Sequence, residues 1–516
     1  WPSMSIKNTY SHRPVREGRD SSLVIDTPLL ASGASITSTS GNVTALAGTG
    51  LGLSNSTVTG QQVHLETGAA FKDTAAALVV TGGNVRGATQ TTLLSTDSIQ
   101  VSSPGTTAVS GGGNVHIQAA KAVDITAGTT VTAGQHMSVM AGTTLNLQAT
   151  SGTTATNGQK VSLSATGNML LSGNSVTATG SNLSAGQDLS IEANDGNANL
   201  HALSNAGGTS VDKVNLSAGK DLNVSVFKGS LYATGLQATG QNINLVSNGT
   251  TSVANATIRN GSNTQAVAST LTAREDLTVG SINATAGASS QVQVVASSLN
   301  AAGQARILSN GVALITAATD TVNGVASPAR SSITAGSVAI QGGSVQTDAA
   351  DIRTNGDKST TAKSGDITVT ATSGNALFNV HTGYRSQFNS TGNIALHASG
   401  NLTHWYTQAN AGGGLSSTSA SGQINGTGAN LVAKDVLSLA SKGAQTHTSG
   451  YYSGGAATVF NETGHLALNS TRVQAVGTTT ANLGTVSGQT SIESGGTLAL
   501  DANSVLVGTT DLSIIQ

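Results

Sequence analysis

Apolar and polar residues alternate along most of this chain. The alternation is clearest in a short repeated phrase. Two small residues and two polar residues come first, and apolar residues then follow two positions apart, as Leu189 and Ile191 do. A period of two residues predicts a β-strand with one buried face. The Gly that comes before the strand fits a turn residue with positive φ. Each phrase therefore predicts a turn followed by a strand.

The phrase returns about every 20 to 40 residues, a spacing typical of solenoid proteins. No segment has the i, i+3, i+4 spacing of an amphipathic helix, which argues against the helical repeat families. Blade signatures of β-propellers are absent too. The pattern therefore predicts an all-β protein, a right-handed parallel β-helix (solenoid) that forms an elongated rod. The copies of the phrase span residues 60–68, 112–120, 133–142, 141–150, 157–166, 185–194, 218–227, 239–248, 273–282, 335–343, 364–372, 391–400, 433–442 and 463–471.

Composition agrees with such a fold. Of 516 residues only 9% are charged and 3% aromatic, while Gly reaches 64 and Pro only 5. Like charges stacked on successive coils would repel one another, so a stacked solenoid favours Thr, Ser and Asn on its outside. We expect a narrow bore filled by Val, Ile, Leu and Ala, which leaves little room for aromatic rings.

Charge and cysteine content restrict the function. The net charge is −2 and there is no basic face, so we expect no nucleic-acid partner, because binding to phosphates needs clustered Lys and Arg. The absence of Cys is ordinary for a bacterial surface protein that crosses the periplasm unfolded. No apolar run reaches the length of a membrane-spanning helix.

The patterns divide the chain into four segments. We expect a lead-in or linker at 1–22, a regular β-helix shaft at 23–375, an irregular aromatic- and His-rich β-helix region at 376–465, and further repeats at 466–516. The start at Trp1 and the end within the strand-like "TTDLSIIQ" lead us to expect an internal piece of a larger polypeptide. The basic residues near the start are interpreted as part of a polar linker; they are Lys7, Arg13, Arg16 and Arg19.

Three copies of the phrase also resemble a known repeat. "AGQDLSIEA" (185–193), "AGKDLNVSV" (218–226) and "TGNIALHASGNLTH" (391–404) resemble the filamentous haemagglutinin repeat of two-partner secretion exoproteins. The resemblance covers about residues 23–516. It implies a secreted, monomeric rod that is exported through a partner outer-membrane transporter barrel and displayed on the cell surface of a Gram-negative bacterium. The amino-terminal secretion domain and the toxin-like tail found in this family are not evident.

The family contains two functional branches. Contact-dependent growth inhibition effectors use the filament to reach a receptor on a neighbouring bacterium and deliver a toxin, whereas adhesins bind host cells. The resemblance therefore implies a receptor, protein or glycan, on a target bacterium or a host cell. We favour growth inhibition, because an aromatic-rich region after a regular shaft suits receptor binding. A host-cell adhesin is the alternative.

Aromatic residues and histidines concentrate in one window. Eight of the 13 aromatic residues and five of the ten histidines fall within 378–465. Aromatic side chains concentrate binding energy at interfaces and also stack on sugar rings. The alternative is that these rings stack on one another outside the rod or cap a wide bore. The candidate receptor or glycan patch consists of Tyr384, Phe388, His404, Trp405, Tyr406, Tyr451 and Tyr452.

A β-helical polysaccharide-degrading enzyme is the hypothesis from a different class. Such enzymes need convergent carboxylates. The densest acidic stretch, 347–359, contains Asp348, Asp351 and Asp357, and Asp351 would share a strand face with Arg353. We interpret the stretch as a solvated loop and expect no enzyme.

A metal site has little support in the sequence. His397 and His404 lack a second ligand type at a suitable spacing, and the calcium-binding nonapeptide repeat is absent. We expect no metal and no cofactor.

Overall fold

The computed structural model describes most of the chain as β-strand. The described residues are 4–6, 21–25, 28–152, 159–281, 290–462, 465–475, 478–481, 485–487, 490–494, 498–500 and 512–515. They contain no α-helix, only the two 3₁₀ turns Ala69–Phe71 and Thr361–Lys363. The predicted all-β class is confirmed. Most of the predicted segment 1–22 and part of the predicted segment 466–516 lie outside the described residues, and the predicted domain boundaries stay predictions.

The chain forms two compact units. The first comprises Trp1–Asn248 and Ala256–Asn260, and the second Gly249–Asn255 and Gly261–Gln516. Within each unit a typical strand pairs in parallel with the strand three further along the chain, so three strands complete one coil. The predicted parallel β-helix is therefore confirmed within each unit. We name the three parallel ladders A, B and C in chain order.

The first unit begins with strands Met4–Ile6, Ser21–Ile25, Leu29–Ser32, Ser35–Thr37 and Val43–Ala47, followed by three long strands that bend through more than one ladder, Gly50–Thr67, Ala77–Ser95 and Ile99–Gly111. Ladder A continues with Val123–Thr126, Thr144–Gln148, Ser175–Thr179, Ala198–His201 and Leu231–Thr234. Ladder B has Thr129–Ala133, Ser162–Ala165, Asn182–Ala185, Val214–Ala218 and Leu236–Gly240. Ladder C has Asn114–Ala119, Met137–Ala141, Met169–Gly173, Leu189–Ala193, Asp221–Val226 and Asn242–Ser247. Outside the ladders are Leu203–Ser204, Val211–Asp212 and Ala256–Asn260.

In the second unit ladder A has Thr251–Ala254, Gln291–Val295, Val312–Thr316, Ser344–Asp348, Ala376–Asn379, Leu402–Trp405, Ile424–Thr427, Gln445–Thr448, Leu466–Asn469 and Thr485–Ser487. Ladder B has Thr270–Ala273, Asp351–Thr354, Gln387–Ser390, Gln408–Ala411, Asn430–Ala433, Tyr451–Gly454, Arg472–Ala475, Thr490–Ser494 and Leu512–Ile515. Ladder C has Leu277–Ser281, Ile367–Ala371, Ile394–Ala398, Leu415–Ser419, Val436–Ser441, Ala457–Glu462, Thr478–Ala481 and Leu498–Leu500. Ser298–Ser309 and Ser332–Gly342 bend through B and C, and Asn263–Val267, Ala318–Val322 and Val325–Ala329 are antiparallel.

The repeated phrase belongs mainly to ladder C. Leu189 lies on Leu222 and Leu222 on Ile243, so equivalent apolar residues of successive phrases stack inside the coil. Three copies are exceptions: their strands Thr144–Gln148 and Leu466–Asn469 belong to ladder A, and Ser162–Ala165 belongs to ladder B. Because most copies of the phrase form the ladder C strand of their coil, the phrase recurs about once per coil.

Stacked turns explain the polar part of the phrase. The Oδ1 atom of Asn168 accepts a hydrogen bond from the backbone N–H of Asp188 (3.2 Å), and Oδ1 of Asp188 accepts one from the backbone N–H of Asp221 (3.2 Å). Turn N–H groups lack a strand partner, so a short amide or carboxylate side chain in the coil before satisfies them. Asn or Asp therefore recurs before the strand.

The phrase glycine has a different cause from the one expected. Gly186 and Gly219 do not have positive φ, so that prediction is wrong at these positions. A Cβ atom on Gly219 would instead overlap the backbone carbonyl of Gly186, directly beneath it in the preceding coil. Glycine is required here because two turns pack backbone against backbone.

Candidate functional site

Insertions in the second unit gather at one corner, between ladders A and B. One contains Asn263–Val267, the next is the hairpin Ala318–Val322 with Val325–Ala329, and a third is the turn 381–384. In the coil after this turn the same corner holds Trp405 and Tyr406. We call 263–267, 318–329, 381–384 and 405–406 together the corner ridge.

Hydrogen bonds join the hairpin to the other two insertions. The Oδ1 atom of Asp320 accepts from the backbone N–H of Ala266 (2.7 Å), and Thr319 Oγ1 lies 2.8 Å from His381 Nε2. Below the hairpin, Arg330 donates from Nε to the carbonyl of Ala349 (2.9 Å) and from Nη2 to that of Arg385 (2.8 Å). Hydrogen bonds between residues 54 and 62 positions apart thus connect these three insertions into one surface.

The hairpin ends in an exposed apolar tip. Asn323 (φ 51°) and Gly324 (φ 75°) form the two-residue turn of a type I′ hairpin. Val322 and Val325 pair beside this turn and are 37% and 67% exposed. The Asn-Gly pair between alternating residues is the sequence signal that could have predicted this hairpin.

The outer edge of the hairpin cannot accept another strand freely. Val325–Ala329 is the last strand of its sheet, and Pro328 lies opposite Thr319. The pair that closes a two-residue turn is hydrogen-bonded, so by alternation the pair Thr319–Pro328 is not, and the nitrogen of Pro328 faces outward. A proline there removes an N–H from the open edge and blunts it.

Three predicted site residues lie on this corner and are exposed. Trp405 and Tyr406 are each 42% exposed, and Tyr384 is 52% exposed. Tyr406 has left-handed backbone (φ 54°), and its N–H donates to the carbonyl of Thr427 (2.7 Å). Its ring covers Gly428, where any Cβ would overlap it. The rings of Trp405 and Tyr406 meet edge to face with centroids 5.7 Å apart, so this aromatic pair is fixed by packing.

Three other predicted site residues point into the bore. Phe388, His404 and Tyr452 are completely buried, so they do not contribute to a surface patch, and the prediction is corrected for them. They occupy inward positions of their strands, where side chains alternate between core and solvent. Tyr451, one residue before Tyr452, faces outward and is half-buried.

Tyr451 lies away from the corner. Its hydroxyl donates to Oε1 of Gln474 (3.0 Å), and the guanidinium of Arg472 lies 5.6 Å from its ring centroid. It stacks on Asn430 of ladder B, in the second coil after Gln408. Tyr451 therefore belongs to the outer face of ladder B rather than to the corner ridge.

The bore in this region is aromatic, contrary to the expectation of an aliphatic bore. Phe378 contacts Phe388 with ring centroids 5.1 Å apart, and Tyr452 contacts Phe460 at 5.6 Å. Two of the large side chains are matched by small residues in the next coil, since Phe388 lies on Ala409 and His404 on Gly426, whereas Phe378 lies on His404. The coils here are also regular: ladder C residues Ile394, Leu415, Leu437 and Thr458 stack at intervals of 21 or 22 residues.

Two histidines are buried among these rings. His404 Nε2 lies 2.9 Å from Ser417 Oγ, and its Nδ1 has no hydrogen-bond partner. His447 is bonded at both nitrogens, to the hydroxyl of Tyr452 (2.7 Å) and to Oε1 of Gln445 (3.1 Å). Burial lowers the pKa of both histidines to about 3. Both are therefore neutral at physiological pH, and burial also raises the pKa of Tyr452.

The predicted acidic stretch is held by its own neighbours. Asp351 accepts from Nε of Arg353 (2.9 Å), which confirms that these two share a strand face, and the contact raises the pKa of Arg353. Asp348 accepts from Gln346 (3.0 Å). Asp357 accepts from the backbone N–H of Ser359 (3.0 Å), and hydrogen bonding by Ser359 lowers its pKa.

The described residues hold no metal-ligand cluster. No group of three or more His, Asp or Glu side chains among them could bind an ion together. His397 lies on the outer side of ladder C, whereas His404 lies inside the bore, so these two do not meet.

In the described part of the chain, no helix is long and apolar enough to cross a bilayer. Comparison with protein-family models, with curated proteins and with solved structures finds no match, so the relationship to filamentous haemagglutinin-type exoproteins stays a prediction from the repeated phrase.

Proposed function

We propose that this chain is part of a secreted β-helical filament on a bacterial cell surface and that the corner ridge is its receptor-binding region. The observation that supports this most is the ridge itself. Insertions from several coils are bonded together there, and five large hydrophobic side chains are exposed on it: Val322, Val325, Tyr384, Trp405 and Tyr406. Exposed aromatic anchors on a rigid support are typical of binding surfaces.

The repeated phrase supports the filament part of the proposal. A coil whose strands and turns stack on those before it can be extended by further coils. We propose export through an outer-membrane transporter barrel of a Gram-negative bacterium, and a receptor, protein or glycan, on a target cell. Contact-dependent growth inhibition is the branch we favour, and a host-cell adhesin is the alternative.

A binding role is better supported than catalysis. Asp348, Asp351 and Asp357 are each engaged by a neighbour on the same strand or turn. A glycoside hydrolase instead needs two carboxyl groups that face one substrate bond. A polysaccharide-degrading enzyme is therefore the least supported of the three hypotheses.

Cell binding by the purified, labelled chain tests the proposal. We would measure binding to Gram-negative bacteria and to epithelial cells, for the natural chain and for a ridge variant with Tyr384→Ser, Trp405→Ser and Tyr406→Ser. A control variant carries Phe227→Ser and Tyr232→Ser, because these aromatic residues of the first unit are similarly exposed (53% and 38%).

The three outcomes have different meanings. Binding to bacteria that only the ridge variant loses supports a growth-inhibition effector. Binding to epithelial cells alone, lost by the same variant, supports an adhesin. If neither cell type binds, or if ridge and control variants behave alike, the ridge is not a receptor-binding region.

A further inference from the structure

The chain around the exposed aromatic pair carries no formal charge. No Asp, Glu, Lys or Arg occurs between Ser386 and Ala433, a stretch that includes Trp405, Tyr406, the ladder B and C strands before them and the strands after them up to Ala433. Recognition of phosphate, sulfate or carboxylate groups relies on Arg and Lys. A ligand on this stretch therefore meets no charged side chain that would select it by its charge. The charged residues that flank the stretch are Arg385, Lys434 and Asp435.

Amide side chains line the face next to the pair. On ladder B, which follows the Tyr406 corner, Gln387, Gln408 and Asn430 lie on one another in successive coils at half-buried positions, and the Oδ1 atom of Asn430 is itself buried without a hydrogen-bond partner. Beside them Nδ2 of Asn410 donates to Oδ1 of Asn389 (3.0 Å). An amide group offers both donors and acceptors without charge, which is the pattern that neighbouring hydroxyl groups of a sugar can match.

The aromatic pair is held in one arrangement before a ligand arrives. Tyr406 is fixed by its left-handed backbone, its bond to Thr427 and its packing over Gly428, and Trp405 meets it edge to face. Such a surface loses little conformational entropy on binding. The partly exposed indole of Trp405 suits the flat, C–H-rich side of a sugar ring.

We propose that the corner formed by Tyr384, Trp405, Tyr406 and the amide row Gln387, Gln408 and Asn430 binds a neutral oligosaccharide. A sugar ring stacks on Trp405, and its hydroxyl groups bond to the amides of Gln408 and its neighbours. This inference rests on the proposed receptor-binding function and names the chemical class of the receptor. The apolar tip at Val322 and Val325 lies on a different part of the ridge and is not needed for it.

The first test uses the purified chain with immobilised oligosaccharides. Neutral chains of hexoses and N-acetylhexosamines are compared with sialylated and sulfated chains of the same length. We expect binding to neutral chains, with an affinity that changes less than about twofold between 50 and 500 mM NaCl, since no ion pairs form. Trp405→Ala should weaken binding at least about tenfold, Gln408→Ala by a smaller factor, and Phe227→Ala not at all.

Results that overturn the inference are equally definite. Binding only to acidic chains, affinity that falls steeply with salt, or no neutral oligosaccharide bound would each contradict it. Equal loss with Trp405→Ala and Phe227→Ala would also contradict it. Circular dichroism melting of each variant checks that folding is preserved, which the exposure of Trp405 and Phe227 favours.

Treated cells separate this inference from the proposed function. If cell binding depends on Trp405 and is lost after periodate oxidation of cell-surface sugars, both stand. If it depends on Trp405, survives periodate and is lost after protease, the receptor is a protein, so the proposed function stands and the oligosaccharide inference fails. If no cell binds, the proposed function fails, and the immobilised oligosaccharides alone decide the inference.

Discussion

The coils around Leu189 in the first unit and those around His404 in the second have the same three-stranded form but different interiors. In the first, Leu189, Leu222 and Ile243 stack as near-equivalent aliphatic side chains. In the second, His404 is followed in the stack by Gly426 and then by His447. An aliphatic stack tolerates repetition, whereas the bulky side chains Phe388 and His404 are each followed in the stack by a small residue, Ala409 and Gly426.

The comparison teaches where sensitivity lies in such a solenoid. The stability of aliphatic coils depends on backbone contacts between stacked turns, such as the contact between Gly219 and the carbonyl of Gly186. Aromatic coils depend in addition on particular side-chain pairs and on buried hydrogen bonds such as that between His447 and Tyr452. We therefore expect the second region to respond more strongly to mutation and to acid than the first.

The largest expected effect comes from removing a buried ring. Phe388→Ala should cost about 3–5 kcal/mol of stability, because the cavity already borders Ala409 and has no large neighbour there to fill it. Urea unfolding of the variant, followed by hydrogen exchange in residues 376–462, measures the loss. Tyr384→Ala is the matched control, since its exposed ring should contribute less than about 0.5 kcal/mol. Equal losses in the two variants would contradict the aromatic-bore account.

The second largest effect should be a loss of stability at low pH that is confined to the aromatic region. The folded pKa of His404 and of His447 is about 3, below the unfolded value of 6.5, so the unfolded chain binds protons first as the pH falls. The free energy of unfolding is therefore highest above about pH 6.5 and falls as the pH drops toward 3. At pH 5 the loss is about 2 kcal/mol for each histidine.

Hydrogen exchange at pH 7 and pH 5, corrected for the intrinsic rates, measures this difference. We expect protection of amides in 394–460 to fall, while protection in 214–247, which contains no histidine, stays nearly constant. A parallel loss in both stretches would show that the buried histidines do not govern the response.

A smaller effect should follow from placing a side chain between two turns. Gly219→Ala should cost about 1–3 kcal/mol, because its Cβ would overlap the backbone carbonyl of Gly186 and one of the turns must move. Gly324→Ala at the open hairpin tip meets no atom and should cost only about 1 kcal/mol, through its positive φ. Thermal unfolding of the two variants gives the comparison, and the reverse order would refute the close-packing explanation.

The smallest effect on stability should come from the blunted edge. Pro328→Thr should change the free energy of unfolding by less than about 0.5 kcal/mol, since the residue lies on the outermost strand. It would restore an N–H to the open edge and so favour pairing with a second chain. Sedimentation at rising protein concentration should reveal this self-association, with Ser327→Thr as the control. A variant that stays monomeric at all concentrations would argue against a protective role of Pro328.

Much of the fold could be predicted from local patterns. The period of two residues in the phrase and its return about once per coil both depend on residues that are close in sequence, so strands and solenoid were accessible. The corner ridge was less accessible. Only the Asn323–Gly324 turn had a local signal, whereas the bonds of Asp320 to Ala266 and of Thr319 to His381 join residues 54 and 62 positions apart.

The sequence by itself determined the all-β class, the strand alternation and the uncharged surface of 386–433, because each depends on composition or on neighbours along the chain. Only the tertiary structure decided which aromatic residues face outward. Tyr451 and Tyr452 are adjacent in sequence, yet one lies on the surface and the other in the bore. That choice depends on how each strand enters its ladder from the corner before it, and the corner geometry is fixed by contacts with neighbouring coils rather than by local sequence.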